Sequence, residues 1–170
     1  GPSASGKSLL AIKLAQKIKG QIINADSMQI YKELKILTSR PSSVNLKAAR
    51  HHLYGFHSVK NHFSTGQWLQ LAILKINECL NNQKTPIVVG GTGLYFKSLT
   101  EGLVKIPNIP KDLRNQTRKL HQKIGQDNFF HKLIVIDPLA KKFISPKDTQ
   151  RSIRAYEVKK FTKKSFFLFK

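Results

Sequence analysis

The chain begins GPSASGKS, and Gly1, Gly6, Lys7 and Ser8 satisfy the spacing G-x-x-x-x-G-K-[ST]. Each residue type has a task in that pattern. The glycines let the backbone from Gly1 through Pro2, Ser3, Ala4, Ser5 and Gly6 wrap with its amides pointing inward. Lys7 then neutralises terminal phosphate oxygens, and the Ser8 hydroxyl can ligate Mg2+. A helix opening directly out of the loop adds a favourable dipole. The loop does not identify its ligand, because a nucleoside triphosphate and a diphosphate ester present the same oxygens. Asp26, in NADSMQIY, follows the short apolar run QII, at the point where an open α/β sheet binds its ligands. A carboxylate there can hold Mg2+ through water or take a proton from an acceptor nucleophile. It can equally cap a helix starting near Ser27. Further along, Arg151 and Arg154 share a helix face, so two guanidiniums can meet one line of phosphates. The alternative there is a solvated basic face.

These residues need a scaffold, and the apolar spacing outlines one. Ala11, Leu14, Ala15 and Ile18 follow helical periodicity from Lys7 to Lys19, with Gly20 as the stop. QII at 21–23 reads as a buried strand, NADSMQ as a loop, 35–44 as an irregular connection, and NLKAARHHL as a short helix. Ser64 and Gln67 make a capping box ahead of Trp68, Leu71, Ala72, Ile76 and Leu80, which predicts a helix ending near Asn82. Pro86 opens a second strand, IVV, which runs into GGTGLY and another helix. This alternation predicts an α/β, P-loop NTPase-like fold: a parallel sheet with flanking helices.

After KIPNIP at 105–110 the chain reads as helical pieces: 111–124, 127–134, a segment after Asp137-Pro138, and 148–162 with Asp148 as N-cap. The expected organisation is a core over 1–104, a helical insertion over 105–147, and a helix returning to the core within 148–170. A phosphate loop of this kind follows a strand that aims it. No strand precedes Gly1, so the first strand of the core is expected to be missing. His51 and His52 lack a nearby cysteine or carboxylate set, which favours packing or a surface role over metal binding. Trp68 and the Phe-rich tail read as core positions.

Composition narrows the partners. Thirty Lys+Arg against nine Asp+Glu give 170 residues a formal charge of +21, an imbalance that suits a polyanion such as nucleic acid. The excess is denser after residue 100, where 17 basic residues face 6 acidic ones, against 13 and 3 before it. Cys79 is the single cysteine, so no intrachain disulfide or thiolate zinc site can form. The longest apolar runs, LIVI at 133–136 and FFLF at 166–169, are far too short for a membrane span. The N-terminus lacks the layout of a signal peptide. A soluble, cytoplasmic protein with no membrane partner is expected, and a monomer.

Taken in order, GPSASGKS, INADSMQIYKELKILTSRPS, HHLYGF, FSTGQW, VVGGTGLYFKSL, DTQRSIRAYEV and FTKKS resemble the tRNA dimethylallyltransferases (tRNA isopentenyltransferases) from Gly1 to about Ser165. The resemblance implies prenyl transfer. The loop of Gly1 to Ser8 would cradle dimethylallyl diphosphate, and the acceptor would be the exocyclic amine of an adenosine beside the anticodon, presented by the anticodon stem-loop of a tRNA. Lys7, the loop amides and Mg2+ at Ser8 would stabilise the leaving diphosphate. Asp26 matches the family's general base. With Ser27, Met28 and Gln29 it also matches a stretch that contacts tRNA. The Thr92 hydroxyl matches a catalytic position near the flipped nucleotide, Arg114 a single tRNA-contacting arginine, and Gln150, Arg151, Ser152, Ile153 and Arg154 a further tRNA-contacting motif.

The chain departs from the family pattern in lacking the leading strand and the later C-terminal segments, so it resembles a family member truncated at both ends. Lys163 stands where the family usually has glycine, and Tyr156 where it usually has leucine. Two rival readings accompany the enzymatic one. An inactive fragment would retain only tRNA binding, and a small P-loop kinase would use ATP on a small acceptor.

Overall fold

In the computed structural model, which describes residues 5–169, three parallel strands lie side by side. Gln21–Asn24 (β1) is central, with His51–His52 (β2) on one side and Pro86–Val89 (β3) on the other. The register pairs Ile22 with His51 and Ile23 with His52, and runs from Gln21 with Pro86 to Asn24 with Val89. The β-branched runs QII and IVV form β1 and β3, as their composition predicts. Helices Lys7–Lys17 (α1), Ser43–Ala48 (α2), Thr65–Asn81 (α3) and Gly93–Glu101 (α4) complete a compact unit that ends at Leu103.

β2 corrects the sequence reading of NLKAARHHL as a helix. Ser42 caps α2 by accepting the Asn45 N–H, and Ala49 is already extended at φ −153°. The chain then pairs with β1, the Arg50 carbonyl accepting the Ile22 N–H at 2.9 Å. A strand of two residues is too short to show a period of two. Both histidines are half-buried and tethered: His51 Nδ1 lies 2.7 Å from the Ala49 carbonyl and His52 Nε2 2.6 Å from Gln21 Oε1. Burial holds both imidazoles below their ordinary pKa.

α1 also differs in detail. Its buried side is Ala11, Ile12 and Ala15, which pack with Ile22 and beside Ile87 and Val89, whereas Leu14 and Ile18 point outward. The two alanines let the helix backbone close on the sheet, and a larger side chain there would hold it off. The helix stops two residues early because Lys19 enters the left-handed region at φ 53°. In α3 the capping box forms as expected, with Ser64 and Gln67 bonding each other's backbone N–H. Trp68 and Ala72 are buried, but Cys79 takes the inward place and Leu80 faces outward.

The second unit starts at Val104 and is helical. Lys111–Ile136 (α5) bends at Gly125, whose φ 77°, ψ 168° is open only to glycine, so the break expected between 124 and 127 is a kink in one element. Ala140–Phe143 (α6) and Thr149–Thr162 (α7) follow, then a 3-10 turn at Phe166–Leu168. Asp148 caps α7 by accepting the Arg151 N–H at 3.0 Å. Phe129, Phe130, Leu133, Ala140, Ile144, Ala155 and Tyr156 form the core, with Phe166 and Phe167 packed against it. Tyr156 sits 5.0 Å from the Phe129 ring, filling an apolar slot.

Lys163 ends α7 in the left-handed conformation, φ 61°, where its N–H bonds the Lys159 carbonyl. That is the backbone state for which a helix end selects glycine. Among the described residues no helix is long and apolar enough to cross a membrane.

Candidate functional site

β1 and β3 are parallel, so their carboxyl ends reach the same edge of the sheet, and the chain turns there twice. The turns interlock. Ala25 donates to the Val89 carbonyl at 2.7 Å, and Thr92 donates to the Ala25 carbonyl at 3.1 Å. Gly90 is required by this closeness, since a Cβ there would overlap the Ala25 backbone. The start of α1, capped by Gly6 in the left-handed conformation, faces the same place. Together they line a cleft of about 710 Å³ that contains Ser5, Gly6, Lys7, Ser8, Asp26, Gln29, Tyr54, Gly90 and Gly91, with Leu37, Thr38 and Ser39 on one wall. Gly1, Pro2, Ser3 and Ala4 lie outside the described residues.

Asp26 does not cap a helix, for none follows it. Its Oδ1 accepts the Met28 N–H at 2.9 Å and the Gln29 N–H at 3.4 Å, so one oxygen folds the turn. The other, Oδ2, faces Gly91, where an added Cβ would lie 3.8 Å away. Thr92 ties this turn to the head of α4: its hydroxyl accepts the Ser27 N–H at 2.8 Å and donates to Ser27 Oγ at 3.2 Å. Gln29 lends its amide to the wall, donating to the Thr38 carbonyl at 2.8 Å. Met28 is half exposed.

Two contributors escaped the sequence reading. Asn24, wholly buried, donates to the Asp26 and Leu53 carbonyls and accepts the Asp26 N–H. A polar residue closing an apolar run was the available signal. Tyr54 lines the cleft, and burial together with the Asp26 carboxylate pushes its pKa upward, which keeps the phenol a donor. Beneath the turn Trp68 stacks on Tyr95 at 4.2 Å and donates its indole N–H to the Asn24 carbonyl at 2.8 Å. Tyr95 itself is pushed up to about 12, by burial first.

The remaining candidates lie in the second unit. Gln150 and Arg151 are exposed at the start of α7, with Arg151 Nε 3.5 Å from Asp148 Oδ2. Ser152 is fully buried and donates to the Asp148 carbonyl at 2.7 Å, and Ile153 packs on the core. Arg154 and Arg114 converge on one buried carboxylate. Arg154 Nη1 lies 3.3 Å from Glu157 Oε2, and Arg114 Nε lies 3.7 Å from the same oxygen, too far for a hydrogen bond. Each guanidinium keeps about a third of its side chain in solvent.

Comparison with known proteins gives this arrangement a family. The family model for IPP transferase matches residues 29–170. The tRNA dimethylallyltransferase of Pelagibacter ubique (strain HTCC1062) is 57% identical over 167 residues, 98% of this chain and 53% of that protein. That of Rickettsia canadensis (strain McKiel) is 49% identical over 99% of this chain and 52% of its own length. The chain therefore spans about half the length of the curated relatives it matches. Among solved structures, a eukaryotic dimethylallyltransferase acting on tRNA aligns with a TM-score of 0.80 at 28% identity, over 97% of this chain and 41% of that one. The tRNA isopentenylpyrophosphate transferase of Bacillus halodurans aligns with a TM-score of 0.61 at 31% identity, over 95% and 54%. The α/β sheet with its flanking helices is the P-loop NTPase-like fold of these neighbours, and the chain belongs to the IPP transferase family, that of the tRNA dimethylallyltransferases.

Proposed function

We propose that the protein of which this chain forms a part transfers a dimethylallyl group from dimethylallyl diphosphate to the exocyclic amine of an adenosine beside the anticodon of a tRNA. The observation that carries this reading is the division of labour at Asp26. One carboxylate oxygen is fixed by backbone N–H groups while the other is turned toward Gly91, in the same cleft as Lys7 and Ser8. The amine nitrogen attacks the allylic carbon, the carbon–oxygen bond breaks with its electron pair passing to the diphosphate, and the amine proton passes to Asp26 Oδ2. Positive charge on the five-carbon group and negative charge on the departing diphosphate develop together. Lys7, the amides of Ser5 and Gly6 and the α1 dipole oppose the negative part.

The Ser8 hydroxyl lines the cleft and suits Mg2+, an ion that takes one or two protein oxygens beside phosphate and water. When bound, it would neutralise diphosphate charge. Leu9, Leu37 and Val89 are the apolar residues lining the cleft, which suits a short isoprenoid. Ser27, Met28, Gln29 and Thr92, on the two interlocked turns beside Asp26, would meet an extruded adenosine, flipping costing roughly a few kcal/mol. Phosphate contacts from Arg114, Arg151 and Arg154, with Gln150, would offset that cost. The high positive charge supports a tRNA partner, and a cytoplasmic site of action accords with it.

The test is the full-length protein with isotopically labelled dimethylallyl diphosphate and unmodified anticodon stem-loops. Label entering the RNA, lost on Asp26→Ala, is the expected result. Unlabelled RNA alongside cleavage of nucleoside triphosphate would overturn the reading in favour of a kinase.

A further inference from the structure

We propose that Asn24 is the positioning residue for Asp26, an inference that rests on Asp26 being the base of the proposed transfer. The Asp26 side chain aims Oδ2 only as well as its own backbone is held, because the bonds from Met28 and Gln29 to Oδ1 fold the turn around that backbone. Asn24 holds it from both sides. Its Oδ1 accepts the Asp26 N–H at 2.9 Å and its Nδ2 donates to the Asp26 carbonyl at 3.0 Å. The second Nδ2 hydrogen goes to the Leu53 carbonyl at 2.9 Å, fastening the turn to the segment after β2.

The frame behind Asn24 is rigid. It is the last residue of the central strand, paired with Val89, with no exposed surface, and its carbonyl is bonded by the Trp68 indole. Two carbonyl partners and one N–H partner fix which end of the amide is nitrogen. Few side chains meet that demand, which is one acceptor and two donors in a single plane. An ionised aspartate would offer no donor. A serine would keep an acceptor for the Asp26 N–H, as short hydroxyl side chains do two residues on, and would leave the Leu53 carbonyl unbonded.

The experiment uses the full-length protein, with Asn24→Ala, Asn24→Ser and Asp26→Ala assayed for labelled transfer beside the wild type. Each rate is divided by the folded fraction from circular-dichroism melting. The expected result for Asn24→Ala is a kcat lower by roughly 100-fold, the scale of a misplaced reacting group, with KM for dimethylallyl diphosphate within about twofold of wild type. Asn24→Ser recovers part of that loss. A merely structural role lowers the folded fraction and leaves kcat per folded molecule alone. If Asn24→Ala does not fold, Asn24→Ser carries the measurement, and a lower kcat at unchanged KM supports the proposal. Wild-type kcat per folded molecule in the variants that fold, with Asp26→Ala inactive, would overturn the Asn24 inference alone. Transfer that survives Asp26→Ala would overturn the reading of the base itself.

Discussion

Two carboxylates, one in each unit, are held in opposite ways. Asp26 is fastened by neutral groups: backbone N–H from Met28 and Gln29 on one oxygen, with Asn24 and Thr92 bracing the turn and the second oxygen left toward the cleft. Glu157 is almost wholly buried on α7, and a single oxygen, Oε2, faces two guanidiniums. Neutral hydrogen bonds orient a carboxylate without cancelling its charge, whereas paired arginines cancel it. The first arrangement leaves one carboxylate oxygen turned toward the cleft. The second locks a helix pair together and holds Arg114 and Arg154 at fixed points, each side chain about a third exposed.

The comparison can be broken most sharply at Asp26. Replacement by asparagine, which keeps an Oδ1 acceptor for the Met28 and Gln29 N–H groups, is expected to lower transfer by about 10²–10⁴-fold while thermal melting stays near wild type. A large loss of melting temperature with little loss of rate would reverse the roles assigned to the two carboxylates. Glu157→Ala should do the opposite. Removing the buried partner of two arginines is expected to cost about 2 kcal/mol in urea unfolding, less than for a fully buried pair because the guanidiniums can rehydrate. Glu157→Gln, which keeps the shape and a hydrogen-bond acceptor, should cost about half as much.

Thr92→Val sharpens the neutral side of the contrast. It deprives the Ser27 N–H of its acceptor with almost no change of shape, and a loss of about 1 kcal/mol is expected, together with a lower kcat read in the same transfer assay. Lys163→Gly relieves a left-handed lysine at the end of α7 and should raise stability by about 1 kcal/mol. An unchanged unfolding midpoint would mean that this helix end carries no strain.

The smallest effect concerns β2. Burial lowers the pKa of His51 and His52, so the unfolded chain binds more protons between their depressed folded values and the ordinary 6.5. Their contribution is complete above pH 6.5 and declines as pH falls below it. Melting temperature should therefore drop as pH is lowered from 7.5 to 5.5, and His52→Gln should flatten part of that slope.

How much of this was legible beforehand depended on the range of the interaction. Local signals read correctly: the Ser64–Gln67 box, the Asp148 cap, the break at Gly125, the runs QII and IVV. Each is decided within a few residues by capping chemistry, a φ that only glycine tolerates, or β-branched packing. The signals that misled were those in which a distant neighbour chooses. Leu14 and Ile18 fit a helical stripe as well as Ile12 does, and only the close approach of Ala11 and Ala15 to the sheet selected the buried side. His51 and His52 carry no strand pattern; Ile22 and Ile23 recruited them.

Residue type and spacing alone were enough for the G-x-x-x-x-G-K-S motif, the strands β1 and β3, the helices α1, α3 and α4, and the family. Only the tertiary structure decided that Thr92 braces the Ser27 turn, that Asn24 grips Asp26 from both sides, and that Arg114 and Arg154 share Glu157. Those pairings join residues whose directions are set by strand ends, helix faces and a kink. A hydrogen bond or ion pair exists only once those directions are fixed to within a fraction of an ångström.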